Sequence, residues 1–390
     1  MKILFISAGD YKYGAPKSMF GLMVDLRENY GVTPILLTKR HNPMNEECDR
    51  LGIENYSFWS RDIMAGSAYR NPILNILKQC IKYCLYILGG ITRYGIKNTD
   101  IPLDEINIIH TNLNRNDIGA YLSQKYDIPH IWHLREHGKE DYNVRAYRSN
   151  VAAYMNDNAD CFIAISEAVK KVWVERGIPA EKVRVVYNGL DSAIFCPKQT
   201  RKDDIIRIVM TGHIQPTKGQ DQLVKAVGLL SDEIKKRIRI DLYGEAYKDY
   251  ESYLNKQILQ YRLQGIVKFC GYCSNIPAKL SEYDIGIVCS KAEGFGRVTV
   301  EYMMAELLVI ASDTGANPEL IQDDVDGMLY SYGDSRQLAE KIEKIVNDPE
   351  LIPQYGKAAR TNAVNKFSMQ RHVSEVYSVY RQIAAGEYQG

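Results

Sequence analysis

Cysteine is scarce in this 390-residue chain: eight residues, at 48, 80, 84, 161, 196, 270, 273 and 289, most of them inside apolar runs. That density excludes a disulfide framework at this length and fits a reducing cytoplasm. A surplus of one charge is missing too. With 49 basic against 48 acidic side chains and a net +1, the chain lacks the basic excess of a protein that neutralises a nucleic-acid backbone, so no nucleic-acid partner is expected. Ligand spacing for a metal is absent: Cys270 and Cys273 form a CxxC, but no second pair or histidine-rich partner follows. The apolar stretch of the opening MKILFISAGD is too short for a signal peptide and reads as a first buried strand. Residues 73–91 are apolar, but Lys78, Lys82 and the shortness of the run argue against a transmembrane span.

What is present suits a folded soluble protein. Apolar residues at 45% and charged residues at 25% exclude wholesale disorder, and the length points to two domains. Strand-like apolar runs alternate with helix-length periodic stretches, the pattern of doubly wound parallel sheets. In the first half the strands are KILFIS (2–7), TPILLT (33–38), INIIHT (106–111), HIWHL (130–134), DCFIAIS (160–166) and VRVVYN (183–188). The series restarts after residue 200 with IIRIVMTG (205–212), RIRIDLYG (237–244), IVKFCG (266–271), DIGIVCS (284–290), LVIASD (308–313) and GMLYS (327–331). Between them NGLDSAIFCPKQTRKDD, polar and punctuated by Gly189 and Pro197, reads as a hinge.

Ligands of open parallel sheets bind beyond the carboxyl ends of the strands, so the turns that follow them hold the candidates. After DIGIVCS comes KAEGFGRVTVEYM, in which Glu293 precedes Gly294, Phe295 and Gly296, and Glu301 lies about one turn into the next helix. Glycines let a ligand approach the backbone, and free N–H groups at a helix start favour an anion such as a diphosphate. The two acids then suit the two hydroxyl-bearing ends of a sugar nucleotide. They fit equally a glycosidase pair, or plain complements to the helix dipole. Lys218, in TGHIQPTKGQ beside His213, is either solvated or a counter-charge for a leaving diphosphate. His110 and His133 are read as ending adjacent strands at the ligand edge, His130 as structural, and His137 as either. In SDTGANPEL, Asn317 reads as a helix cap with Pro318 in the first turn, leaving two N–H groups exposed. In residues 73–91, Ile73, Leu77, Cys80, Cys84, Ile87 and Ile91 form a helical stripe widened by Leu74, Ile81 and Leu88. That stripe either packs on its own domain or rests on a membrane, with Lys78, Lys82, Arg93 and Lys97 near lipid phosphates.

In this order AISEAVKKVWVERGIPAEKVRVVYNGLDSAIFCP, TGHIQPTKGQ, EGFGRVTVE with its Glu-x7-Glu, and SDTGANPELIQDDVDGMLY resemble the family-4 retaining glycosyltransferases, over nearly the whole chain. The resemblance implies an α/β GT-B fold: two Rossmann-like parallel-sheet domains facing a central cleft. It implies an acceptor-binding domain at 1–190, a nucleotide-sugar donor domain at 191–367, and a last helix near 368–390 that crosses back onto the first domain. Glu301 would hold the donor ribose; Glu293 and the backbone of Gly294, Phe295 and Gly296 would hold the donor sugar and phosphates. Lys218 would stabilise the leaving diphosphate, His133 would contact the transferred sugar, and Gly14 would sit near the phosphates. No metal or other cofactor is expected.

The chain departs from the family where His213 replaces a usual arginine, and where Tyr302, Glu306 and Leu308 replace small residues and proline. The implied activity is retaining transfer from a nucleotide-diphosphate sugar, UDP-linked by expectation, to a glycan or lipid-linked glycan, serving bacterial surface polysaccharide synthesis at the cytoplasmic membrane face. A nucleotide-sugar epimerase and a weakly active partner subunit are the alternatives.

Overall fold

The structure, a computed structural model, describes all residues except 8–13, 61, 67–71, 93–94, 97–98, 139–143, 149, 197–203 and 388–390. Residues 8–13 of the stretch that follows the first predicted strand, Arg93, Lys97 and the part of the hinge around Pro197 lie outside the described residues. The chain divides into two compact units, Met1–Gly189 together with Met369–Gly390, and Leu190–Ser368.

The first unit contains β1 (Lys2–Ser7), β2 (Thr33–Thr38), β3 (Glu54–Ser57), β4 (Met64–Gly66), β5 (Ile108–Asn112), β6 (His130–Leu134), β7 (Val144–Ala146), β8 (Cys161–Ala164) and β9 (Val183–Val185). Seven of them form one sheet in the order β3-β2-β1-β5-β6-β8-β9, all pairs parallel, while β4 and β7 pair antiparallel. Side chains alternate across a strand. Ile3 and Phe5 therefore join one core with Met19, Leu22 and Leu26 of the helix Gly14–Tyr30 and with Val376 and Tyr380 of the C-terminal helix Met369–Ala384. Leu4 and Ile6 join the other core with Ile118 and Leu122. Burial on both faces explains why these strands read as unbroken apolar runs.

The second unit contains β10 (Ile206–Thr211), β11 (Ile238–Tyr243), β12 (Val267–Gly271), β13 (Ile285–Val288), β14 (Leu308–Ser312) and β15 (Met328–Tyr330). They form a parallel sheet in the order β12-β11-β10-β13-β14-β15. In each sheet the chain leaves one strand toward one edge and later returns to its other side, between β1 and β5 in the first sheet and between β10 and β13 in the second. These switch points open a crevice beyond the strand ends.

The helix Pro72–Thr92 is held by Tyr86, 7% exposed, whose ring stacks on Tyr147 and whose hydroxyl accepts from Arg148 Nε at 3.1 Å. Leu77, Ile81, Ile87 and Leu88 of its apolar stripe are all more than half exposed. Among the described residues no helix is long and apolar enough to cross a membrane.

Candidate functional site at the edge of the second sheet

The turn after β10 and the loop after β13 flank the second switch point, and the backbone locks them together. Lys291 N–H donates to Thr217 O at 2.9 Å, and Gln222 Nε2 donates to Cys289 O at 3.2 Å. Gly219, at φ +72°, closes the turn Pro216–Lys218 so tightly that a Cβ there would lie 2.2 Å from Cys289 O. Any other residue would push Lys218 away from the loop after β13. With glycine in place, Lys218 Nζ meets Glu293 Oε1 at 2.6 Å, the side chains 28% and 15% exposed.

The loop carrying Glu293 is fixed from its far side by the segment after β14. Ala316 N–H donates to Glu293 O at 2.9 Å, and Ser312 and Thr314 hydroxyls both donate to Ser290 O, at 2.8 and 2.7 Å. Gly296, left-handed at φ +79°, opens the helix Arg297–Met304, whose N-terminus has no side-chain cap. An uncapped start of this kind presents N–H groups toward an anion. Glu301, one turn inside, is bound by Arg297 Nε at 2.8 Å. The Phe295 ring is buried edge-on against Phe367 at 5.9 Å, so only its backbone is available to a ligand. His213 is exposed, and its carbonyl accepts from Gln220 Nε2 at 3.1 Å.

His213, Lys218, Glu293, Gly294, Phe295, Gly296 and Glu301 thus lie together on one sheet edge of the second unit. Gly14 and His133 belong to the first unit, Gly14 as the exposed first residue of its helix. His110 does not end its strand as expected. It sits inside β5, fully buried, with Nδ1 2.6 Å from Tyr380 OH and Nε2 3.0 Å from His133 Nδ1. His133 is fully buried as well, so neither ring emerges at the edge. Burial and the Arg135 guanidinium hold both imidazoles neutral, far below the usual histidine range. Asn317 is not the expected cap either: Ala316 caps that short helix, and buried Asn317 accepts from Thr299 Oγ1 at 2.8 Å while donating to Ser312 O at 3.0 Å. Among the described residues no group of three or more His, Cys, Asp or Glu is placed to hold a metal ion.

The family departures have definite places. Tyr302 is fully buried, packed against Gly286 of β13, and its hydroxyl accepts from Thr211 N–H at 2.7 Å while donating to Thr211 Oγ1 at 3.0 Å. The larger side chain thereby braces the end of β10 that leads to Lys218. Glu306 takes φ +63°, a conformation that costs a non-glycine residue about 1 kcal/mol.

A model described as glycosyl transferases group 1 matches residues 193–362, and one described as glycosyltransferase family 4 matches residues 93–194. The chain is 27% identical over 323 residues to the glycosyltransferase MJ1178 of Methanocaldococcus jannaschii, covering 81% of this chain and 86% of that protein. It is 24% identical over 331 residues to the poly(ribitol-phosphate) alpha-N-acetylglucosaminyltransferase of Staphylococcus aureus, covering 81% of this chain and 63% of that one. The crystal structure of Anabaena Alr3699/HepE in complex with UDP superposes with a TM-score of 0.79 at 22% identity, covering 98% of this chain and 100% of that one, and the same protein has been crystallised with UDP-glucose. With one model on each half of the chain, and two parallel-sheet units that match glycosyltransferase structures throughout, this protein is a GT-B glycosyltransferase of the group 1, family 4 type.

Proposed function

We propose that the protein moves a hexose from a UDP-sugar to a hydroxyl of a glycan or lipid-linked glycan, with retention of configuration. The observation that carries this reading is the Lys218–Glu293 pair, held at 2.6 Å on the switch-point edge beside an uncapped helix start. Departure of a nucleoside diphosphate builds negative charge on its terminal phosphate and positive charge on the anomeric carbon. A fixed ammonium and oriented N–H groups stabilise the first. In the transfer the anomeric C–O bond to phosphate breaks, the acceptor oxygen bonds the same face, and its proton passes to the leaving phosphate. No protein nucleophile is required. Glu293 positions the sugar and Lys218 against each other, and Glu301 takes the ribose hydroxyls in place of Arg297. HepE crystals holding UDP and UDP-glucose support the choice of donor. The first unit takes the acceptor and the second the donor.

The test is a panel of nucleotide sugars, following free nucleotide with and without lipid-linked acceptors. Acceptor-dependent release of nucleotide supports transfer. Conversion of the donor without acceptor identifies an epimerase, and failure to bind any nucleotide identifies a partner subunit; either overturns the proposal.

The same reading places the enzyme at the inner membrane face in surface polysaccharide synthesis, through the helix Pro72–Thr92. Leu74, Leu77, Ile81 and Leu88 recur on one side of that helix and are exposed. Between Asp62 and Asp100 the chain carries Arg70, Lys78, Lys82, Arg93 and Lys97 and no acidic residue. An apolar face with basic flanks matches an anionic lipid surface. Flotation with phosphatidylglycerol vesicles is expected to retain the wild type and lose the Leu77→Ser/Ile81→Ser/Leu88→Ser variant; equal retention of both would remove the membrane from the proposal.

A further inference from the structure

The helix Arg297–Met304 shows only one stripe to the outside. Thr299, Val300, Tyr302, Met303 and Met304 are buried, which leaves Arg297, Val298 and Glu301 as its part-exposed residues. Its start is fixed from the buried side: Thr299 Oγ1 donates to Asn317 Oδ1 at 2.8 Å, and a Cβ on Gly296 would lie 2.8 Å from Leu320 Cδ1. The stripe therefore keeps its place, and a ligand that reaches Glu301 also meets Arg297. Both residues belong to the second unit.

Arg297 stands where a cation is disfavoured. It is the first residue of a helix with no side-chain cap and no acid in its first turn, so its charge faces the positive end of the helix dipole. An arginine there needs an anion, and Glu301, one turn on, supplies it. The pair is thin. Arg297 Nε donates to Glu301 Oε1 at 2.8 Å, and neither its Nη groups nor Glu301 Oε2 bonds to another side chain among the described residues. Arg115 and Glu136 in the first unit show the firmer arrangement, a two-bond fork at 2.6 Å for each bond. With side chains 33% and 15% exposed, the single-bond pair of Arg297 and Glu301 is weak and exchangeable. Vicinal hydroxyls donate to a carboxylate through both its oxygens, and Oε1 already carries a charged donor that a neutral hydroxyl has to share or displace.

We propose that Arg297 is an internal competitor for the nucleotide's ribose: it neutralises Glu301 in the free protein, is released from it when a vicinal diol binds, and so sets how strongly the site favours a nucleotide with both ribose hydroxyls. This rests on the assignment of Glu301 to the donor ribose. The nucleoside diphosphate that leaves after transfer carries the same ribose, so Arg297 also returns to Glu301 as that product departs and hastens its release.

The experiment titrates UDP and 2′,3′-dideoxy-UDP by calorimetry into the full-length wild type and the Arg297→Met, Arg297→Lys and Glu301→Ala variants. The ratio of the two dissociation constants, dideoxy over UDP, reports the diol alone, because base and phosphates are common to both and any loss of folded protein cancels. Glu301→Ala removes the acceptor and is expected to bring the ratio to about one. Arg297→Met is expected to raise it about threefold above the wild type, the scale of a weak ion pair, while Arg297→Lys, which keeps the charge, stays near the wild type. An Arg297→Met ratio at or below that of the wild type overturns the proposal and leaves the transfer reading standing. An equal rise in Arg297→Lys does the same, since it would trace the effect to packing rather than charge. Equal ratios in Arg297→Met and Glu301→Ala, or no binding of UDP to the wild type, overturn the ribose assignment and this inference with it.

Discussion

Acidification should dismantle the first unit before the second. His110, His130, His133 and His372 are all buried in the first unit, whereas the second holds one histidine, the exposed His213. Burial pushes His130 down to about 4 and His372 down to about 3. An unfolded histidine titrates near 6.5, so between roughly pH 6.5 and 4 the unfolded chain binds protons that the folded one refuses. Stability therefore falls as pH falls through that window. At pH 5 each such ring costs about 2 kcal/mol, so these two cost about 4 kcal/mol, and His110 and His133, displaced in the same direction, add to the loss. Against a total of about 5–15 kcal/mol this is a large fraction. For a unit of this size it corresponds to a fall in melting temperature on the order of 10 °C. Scanning calorimetry from pH 7.5 to 5, with hydrogen exchange to assign the transitions, measures it. A first-unit midpoint that stays flat over that range, or parallel weakening of both units, would refute the reasoning.

Other expectations concern the second unit. Lys218→Ala should lower turnover about a hundredfold or more, the usual effect of losing one transition-state stabiliser; unchanged nucleotide release would exclude Lys218 from the chemistry. His213→Arg, placing a permanent charge in an exposed position, should keep or raise activity above neutral pH, and a collapse would assign the imidazole another role. Glu306→Gly should stabilise the second unit by about 0.5–1 kcal/mol in denaturant titration, because it relieves a left-handed non-glycine residue at a helix end. Gly286→Ala should destabilise it by about 1–3 kcal/mol, since a Cβ there would lie 2.2 Å from the Tyr302 ring; a neutral result would mean that the ring relocates freely.

Legibility in the sequence tracked burial. β1, β2, β6 and β14 are fixed by apolar runs that need cover on two faces, and they appear close to the expected residues. β3, reading ENYS, carries no such run because it is an edge strand, and the short β4–β7 pair gives too few residues for a period to show. In the candidate site, glycine spacing and strand ends located the Lys218 turn and the Glu293 loop, but not the direct ion pair between them, which depends on backbone clamps from residues 289–291 and 312–316. His110 and His133 depart from expectation for a related reason. A strand end in sequence says where the backbone stops pairing, not whether the following loops and a distant helix cover the side chain, and here the C-terminal helix reaches His110 with Tyr380.

That return of the last helix governs the order of biosynthesis. Met369–Ala384 packs beside Gly14–Tyr30, with Tyr377 against Tyr30 at 4.5 Å and His372 bonded to Tyr187 O at 2.7 Å. On the ribosome the amino-terminal half emerges first yet lacks one wall of its core until codons 369–384 are read, whereas Leu190–Ser368 has all its strands earlier. The portion synthesised second can therefore finish folding first, and a transcript cut short before codon 369 would yield a sound carboxyl-terminal half joined to an amino-terminal half with an open hydrophobic face.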